Sequence, residues 1–206
     1  MQYDSFRPLR RADLDADPIA QFRRWLGDAT AAGIELPEGM ILSSADRDGR
    51  PSARTVLLKH HGADGFVFFT NYLSRKAREL DATREAALLF WWRELGRQVR
   101  IEGGVEKVRQ PESDAYFATR PRASQIAAWA SDQSGVVESR EILDSLAGEI
   151  ERKFRGSEVP RPPHWGGYAV IPERIELWQG RPDRLHDRFL YTRRDDGGWD
   201  LKRLAP

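Results

Sequence analysis

The sequence predicts an α+β fold built on a β-barrel or a strongly coiled antiparallel sheet. Three observations carry this. Short segments rich in β-branched and aromatic residues recur along the chain, separated by turn residues. Helical periodicity is bunched at the start and in the middle. Strand–helix alternation is missing, as are the glycine patterns of dinucleotide folds and P-loops. A nucleotide, if bound, has to be gripped by side chains.

Asp17 is a natural N-cap with Pro18 at the first helical position. Ile19, Phe22, Trp25 and Leu26 then recur at helical spacing, giving a helix over residues 18–32. Residues 40–45 and 52–59 read as strands around the Asp46–Gly49 turn, and 66–70 as a third. Residues 74–83 form a short helix, and 86–92 and 98–108 another strand pair. Helices follow over 112–119, 123–130 and 138–154, the last with Leu143, Leu146, Ile150 and Phe154 in phase. After the proline-rich linker at 159–164, strands return over 168–171, 174–178, 189–193 and 199–203. The length suits one domain over residues 1–206, with 1–16 a flexible N-terminal segment.

Composition excludes several classes of function. Aromatic residues make up 10% of the chain, including seven Trp, which disordered chains lack. Charged residues reach 32% but balance to +1 without like-charge blocks, so neither nucleic acid nor a membrane surface is an expected partner. The absence of cysteine rules out disulfides, thiolate catalysis and thiolate-bound zinc, and no His spacing suits a metal. The polar N-terminus is no signal peptide and no apolar run approaches the ~20 residues of a membrane span, so the cytoplasm is the expected compartment. Only five basic residues are Lys; the Arg excess fits either genomic codon preference or anion recognition.

Four segments could carry chemistry. In Arg54-Thr55-Val56-Leu57-Leu58-Lys59 a Lys ends an apolar strand, where it either meets water or reaches a ligand. Thr70, Ser74, Arg75 and Lys76 lead from a strand into a helix, which gives either ordinary capping or a phosphate pocket. Tyr116 and Arg120, four apart on one helix face, approach Ser124 in the first turn of the next helix, as a second anion site or a solvated surface. If residues 184–188 are extended, Arg184, His186 and Arg188 share a face, a costly grouping unless an anion or electron-rich ring sits among them.

RTVLLK (54–59), TNYLSRK (70–76), GRQVRIEG (96–103), YFATRPRASQI (116–126), the Gln133-Ser134 pair, PPHWGGY (162–168), WQGRPDRLHDR (178–188) and the closing RLAP occur together in this order. The set resembles the pyridoxamine 5′-phosphate oxidase family over residues 17–206. The resemblance implies a split β-barrel homodimer with FMN between subunits and with residues 164–206 completing the site. It implies oxidation of pyridoxamine or pyridoxine 5′-phosphate to pyridoxal 5′-phosphate, with O₂ reduced to H₂O₂. By motif, residues Arg54 to Lys59, Phe69, Thr70, Ser74, Arg75, Lys76, Gln98, Gln133, Ser134, Trp178 and Arg188 would hold FMN. Lys59, Tyr116, Arg120, Ser124, Arg184 and His186 would hold substrate, with Arg184 and His186 at the reacting group and neutral His186 as its proton acceptor.

Three departures stand out. Phe69 replaces a frequent Tyr, and the family's N-terminal Arg-Arg-x-Tyr lid is reduced to Tyr3. The run Phe90-Trp91-Trp92-Arg93-Glu94 is similar to that of phenazine-biosynthesis flavin oxidases, which generally lack the Lys of RTVLLK and the Tyr/Arg/Ser cluster. These enzymes are the alternative on the same fold. A non-catalytic flavin or pyridoxal-phosphate carrier is the alternative from another class, and intact Arg184 and His186 argue against it.

Overall fold

The computed structural model describes residues 7–206; the Tyr3 lid position lies outside them. Helix α1 (Pro18–Ala31) precedes strands β1 (Gly39–Ala45), β2 (Pro51–Leu57), β3 (His60–Gly62) and β4 (Gly65–Asn71). Helix α2 (Arg75–Thr83), strands β5 (Glu85–Trp92) and β6 (Arg97–Lys107), and helices α3 (Gln110–Ala118), α4 (Arg122–Ala130) and α5 (Arg140–Lys153) follow. The chain closes with β7 (Trp165–Gln179), β8 (Asp187–Arg193) and β9 (Trp199–Leu204). The described strands make one curled antiparallel sheet in the order β2-β1-β5-β6-β7-β4-β3, with β8 and β9 branching from β7.

The branch is what splits the barrel. Along one side β7 pairs with β6 from Tyr168 to Gln179, while on the other its first half pairs with β4 and its second half with β8. The Lys59 N–H donates to the Val67 carbonyl at 2.8 Å, which ties the end of β2 to β4. Strand alternation points Met40, Leu42, Leu88, Phe90, Val99, Ile101, Ile175, Leu177 and Phe189 inward, and all are buried. The apolar stripe of α1 covers this core. Asp17 caps that helix by accepting the Ile19 N–H, and Phe22, fully buried, sits 5.0 Å from the Phe66 ring and 4.9 Å from Phe90. A second, smaller core of Phe117, Ile126, Val159 and Trp165 seats α3 and α4 against the start of β7.

Three sequence expectations change. The strands expected at 168–171 and 174–178 are one continuous strand, because a bulge opposite Glu102 and Gly103 absorbs Pro172 and Glu173. Residues 184–188 are not extended. Pro182–Arg184 forms a 3₁₀ turn with Asp183 at φ 57° and Arg184 at φ 60°, and the strand begins only at Asp187. Arg184, His186 and Arg188 therefore do not share one strand face. Strand β3 was not anticipated; it is three residues long, too short for a periodic signal.

Gly103 lets β7 run unbroken. A Cβ there would lie 2.0 Å from the Ile171 carbonyl oxygen, a backbone atom that cannot swing away. Gly103→Ala is expected to destabilise the fold by about 1–3 kcal/mol through overpacking. Urea denaturation measures this, and an unchanged midpoint would show that the bulge does not need glycine.

Candidate functional site

A cleft of about 630 Å³ opens between the end of β2, β4 and the α3–α4 turn, with the 131–133 segment over its rim. Lys59, Lys76 and Arg120 line it, and no Asp or Glu does among the described residues. Thr55, Val56, Leu57, Phe69, Thr70, Tyr116, Ser124 and Gln133 line it too, so eleven residues singled out from sequence converge on one cavity. They span β2 to the loop after α4, and the curl of the sheet brings them together.

Each cation is placed for a reason. Arg120 stacks on Trp165, its guanidinium carbon 4.6 Å from the ring centroid, and its buried Nη1 makes no hydrogen bond among the described residues. Burial pulls its pKa down from the ordinary value, opposed in part by Tyr116. A buried guanidinium nitrogen without a partner is costly, and a bound anion would satisfy it. Trp165 extends a ring stack through Phe69, at 5.2 Å, to Tyr116, 4.1 Å beyond. Tyr116 and Arg120 are not on one helix face as expected, because α3 ends at Ala118; the turn before Pro121 swings Arg120 into the cleft instead. Lys76 Nζ donates to Thr70 Oγ1 at 3.2 Å and to Gln133 Oε1 at 2.9 Å. Burial, and then the nearby Arg54, lower its pKa, with Glu79 opposing.

Other expected cofactor residues stand behind the cleft. Leu58 is in the core, and Ser74 is fully buried, capping α2 at the Ala77 N–H. The Arg75 N–H donates to Ser134 Oγ at 3.2 Å. Arg54 and Arg75 both bond Glu79, a residue sequence reasoning missed. Its Oε2 accepts from Ser44 at 2.6 Å, Ser52 at 2.5 Å and Arg54 Nη2 at 3.1 Å, while Oε1 accepts Arg75 Nε at 2.8 Å. Burial raises the pKa of this carboxyl, but the four donors outweigh burial and hold it at about 2. The available signal was the Arg75–Glu79 spacing of one helical turn.

The remaining residues lie elsewhere. Gln98, Trp178 and Arg188 form a row across β6, β7 and β8, extended by Trp91 on β5. Alternation turns this row to the outer face, where Trp91 is 37% exposed and Trp178 and Arg188 are half-buried. Arg188 pairs with the buried Glu176 at 2.7 Å. The His186 ring lies 4.6 Å from Trp178, and its Nδ1 accepts the Arg181 N–H at 3.1 Å. Arg184 is exposed in the preceding turn. None of these five residues lines the cleft. Among the described residues no His, Asp or Glu cluster could hold a metal ion, and no helix is long and apolar enough to cross a membrane.

A split antiparallel barrel with an acid-free, cation-lined cleft suits an anionic ligand gripped by side chains. Residues 26–153 match the family model described as pyridoxamine 5′-phosphate oxidase, and 165–206 match the pyridoxine 5′-phosphate oxidase C-terminal dimerisation region. The chain belongs to the pyridoxamine 5′-phosphate oxidase family. It is 59% identical to the pyridoxine/pyridoxamine 5′-phosphate oxidase of Rubrobacter xylanophilus over 93% of this chain and 88% of that protein. It is 55% identical to the Burkholderia thailandensis oxidase of the same name, over 96% of this chain and 93% of that one. Among solved structures, PhzG from Burkholderia lata 383, in complex with tetrahydrophenazine-1-carboxylic acid, superposes with a TM-score of 0.90 at 34% identity, covering 98% of this chain and 100% of that one. A pyridoxamine 5′-phosphate oxidase-related, FMN binding protein from Nostoc punctiforme shares the fold at a TM-score of 0.72 and 17% identity, covering 94% of this chain and 100% of that one.

The depressed Glu79 pKa sets a direction for acid stability. A carboxyl more acidic in the folded than in the unfolded chain adds stability above its ordinary value of 4.5 and loses it as pH falls towards about 2. The expected loss is about 3 kcal/mol at most. Urea midpoints measured across this range should fall steeply for the unmutated chain and less so for Glu79→Gln; parallel curves would contradict the assignment.

Proposed function

We propose that this chain is an FMN-dependent pyridoxamine/pyridoxine 5′-phosphate oxidase that works in the cytoplasm as a homodimer and passes electrons to O₂ to give H₂O₂. The observation that carries the reading is the cleft in which, among the described residues, Lys59, Lys76 and Arg120 converge without an acid and Arg120 Nη1 lacks a partner. Two phosphates, one from the cofactor and one from the substrate, suit that donor set. The family membership supports both ligands.

In this reading Lys76, Thr70, Gln133 and Ser134 gather at the flavin phosphate with Arg54 and Arg75, and residues 54–59 and Phe69 follow the flavin. Tyr116, Arg120 and Ser124 take the substrate phosphate, and Lys59 reaches both ligands. The outer row of Gln98, Trp178 and Arg188, with Arg184 and His186 beside it, completes the site from the second copy. The match to a C-terminal dimerisation region supports that pairing. FMN held there would supply the acceptor for a hydride from the substrate's C4′ carbon, with O₂ as the final electron acceptor. The chain supplies positioning, by fixing the substrate phosphate and closing aromatic walls around the ring. Because Nδ1 accepts the Arg181 N–H, the neutral His186 ring carries its proton on Nε2. In this reading that nitrogen faces the reacting amine or hydroxyl and positions it.

A second reading rests on the likeness to the phenazine-bound structure. It would have the chain bind FMN yet ignore B6 phosphates. Lys59 and the Tyr116/Arg120/Ser124 pocket, intact and unpaired by acids, favour the first.

The purified protein is expected to be yellow and to convert pyridoxamine 5′-phosphate in air with release of peroxide. Arg184→Ala should lower kcat/KM about a hundredfold while flavin stays bound. Arg75→Ala should weaken FMN instead. A colourless protein that FMN cannot reconstitute would refute the reading, and equal loss of flavin in both variants would refute the division of roles.

A further inference from the structure

Glu79 occupies the middle of a cationic cluster without touching the cleft. Only 4% of its side chain is exposed, whereas Arg75, which it pairs, is 59% exposed. An exposed arginine ordinarily samples many rotamers, and ordering it costs entropy. Here Arg75 hydrogen-bonds the carboxylate through Nε alone, and its Nη1 and Nη2 make no hydrogen bond among the described residues. The edge left over is the two-pronged one, the geometry that matches a phosphate. Arg54 is anchored from the same carboxylate, held also by Ser44 and Ser52, and stands close enough to Lys76 to lower its pKa. Three cations thus crowd one helix start, with one buried acid behind them.

We infer that Glu79 is a positioning residue for the flavin phosphate: it fixes Arg54 and Arg75 from behind, so that the forked edge of Arg75 is presented ready-made to the phosphate. The inference rests on the FMN reading above. Its competitor is a purely structural clamp, in which Glu79 only ties α2 to β1 and β2 through Ser44 and Ser52.

Riboflavin separates the two, since it carries the same ring system without the phosphate. The full-length chain, stripped of flavin, is titrated with FMN and with riboflavin. For Glu79→Gln the FMN dissociation constant should rise about tenfold, as for other partners that orient a ligand-binding group, while riboflavin affinity is unchanged. In an Arg75→Ala background the same substitution should add much less to the loss of FMN. Equal weakening of both flavins, unchanged FMN affinity, or tighter FMN binding would each overturn the inference. Should Glu79→Gln fail to fold, Glu79→Asp keeps the charge but shortens the reach; a loss confined to FMN supports the role and an equal loss for both flavins overturns it. An unmutated chain that binds neither flavin would instead refute the proposed function, and this inference with it.

Discussion

The pairing of β7 is the constraint on which the rest of this molecule depends. One fifteen-residue strand holds β6 from Tyr168 to Gln179, β4 beside its first half and β8 beside its second. Its first residue, Trp165, forms the floor under Arg120, and Trp178 near its end anchors the outer aromatic row. The two lie about 40 Å apart along the strand contour. A single strand therefore serves both groups of functional residues and keeps them apart in one chain. The bulge at Gly103 makes this possible, because it admits Pro172 without ending the strand.

Electrostatics divides the chain in a complementary way. The cleft gathers cations and excludes acids, so its charge is left uncompensated at the wall. One step behind, Glu79 compensates Arg54 and Arg75 with full hydrogen bonding, the arrangement in which a buried charge is tolerated. On the outer face Glu176 plays a similar part, holding Arg188 and, at 2.9 Å, Arg100. Each buried acid thus holds two arginines, Arg54 and Arg75 at Glu79 and Arg188 and Arg100 at Glu176.

The cleft was legible in sequence to the extent that its residues sit in short motifs with fixed local geometry. Thr70 and Lys76 flank a strand-to-helix turn, and Ser124 follows Pro121 into a helix, so their neighbourhood could be read from spacing. Arg120 was singled out on a helical spacing that the fold does not use; a turn carries it to the cavity instead. Glu79 escaped notice because an acid four residues after an Arg is a common solvated pair, and nothing local reveals that Ser44 and Ser52 close over it. The continuity of β7 was hidden by Pro172, which reads as a break unless the partner strand is known. The turn at Pro182–Arg184 was missed for the opposite reason, since left-handed backbone falls on Asp183, which tolerates it without requiring it, and on Arg184, which rarely adopts it.

Central to the proposed function is that the Arg120 cleft and the Arg184–His186 turn, which lie apart in one chain, are two halves of one site that a pair of chains brings together. Mixing unfolded Arg120→Ala and Arg184→Ala chains and refolding them together tests this most directly. Each variant alone should be nearly inactive, whereas the equimolar refolded mixture should regain about a quarter of the unmutated activity, because about half of the randomly paired dimers are mixed and each of these keeps one of its two sites intact. A mixture no more active than its components would place both halves in the same subunit's site and contradict the account.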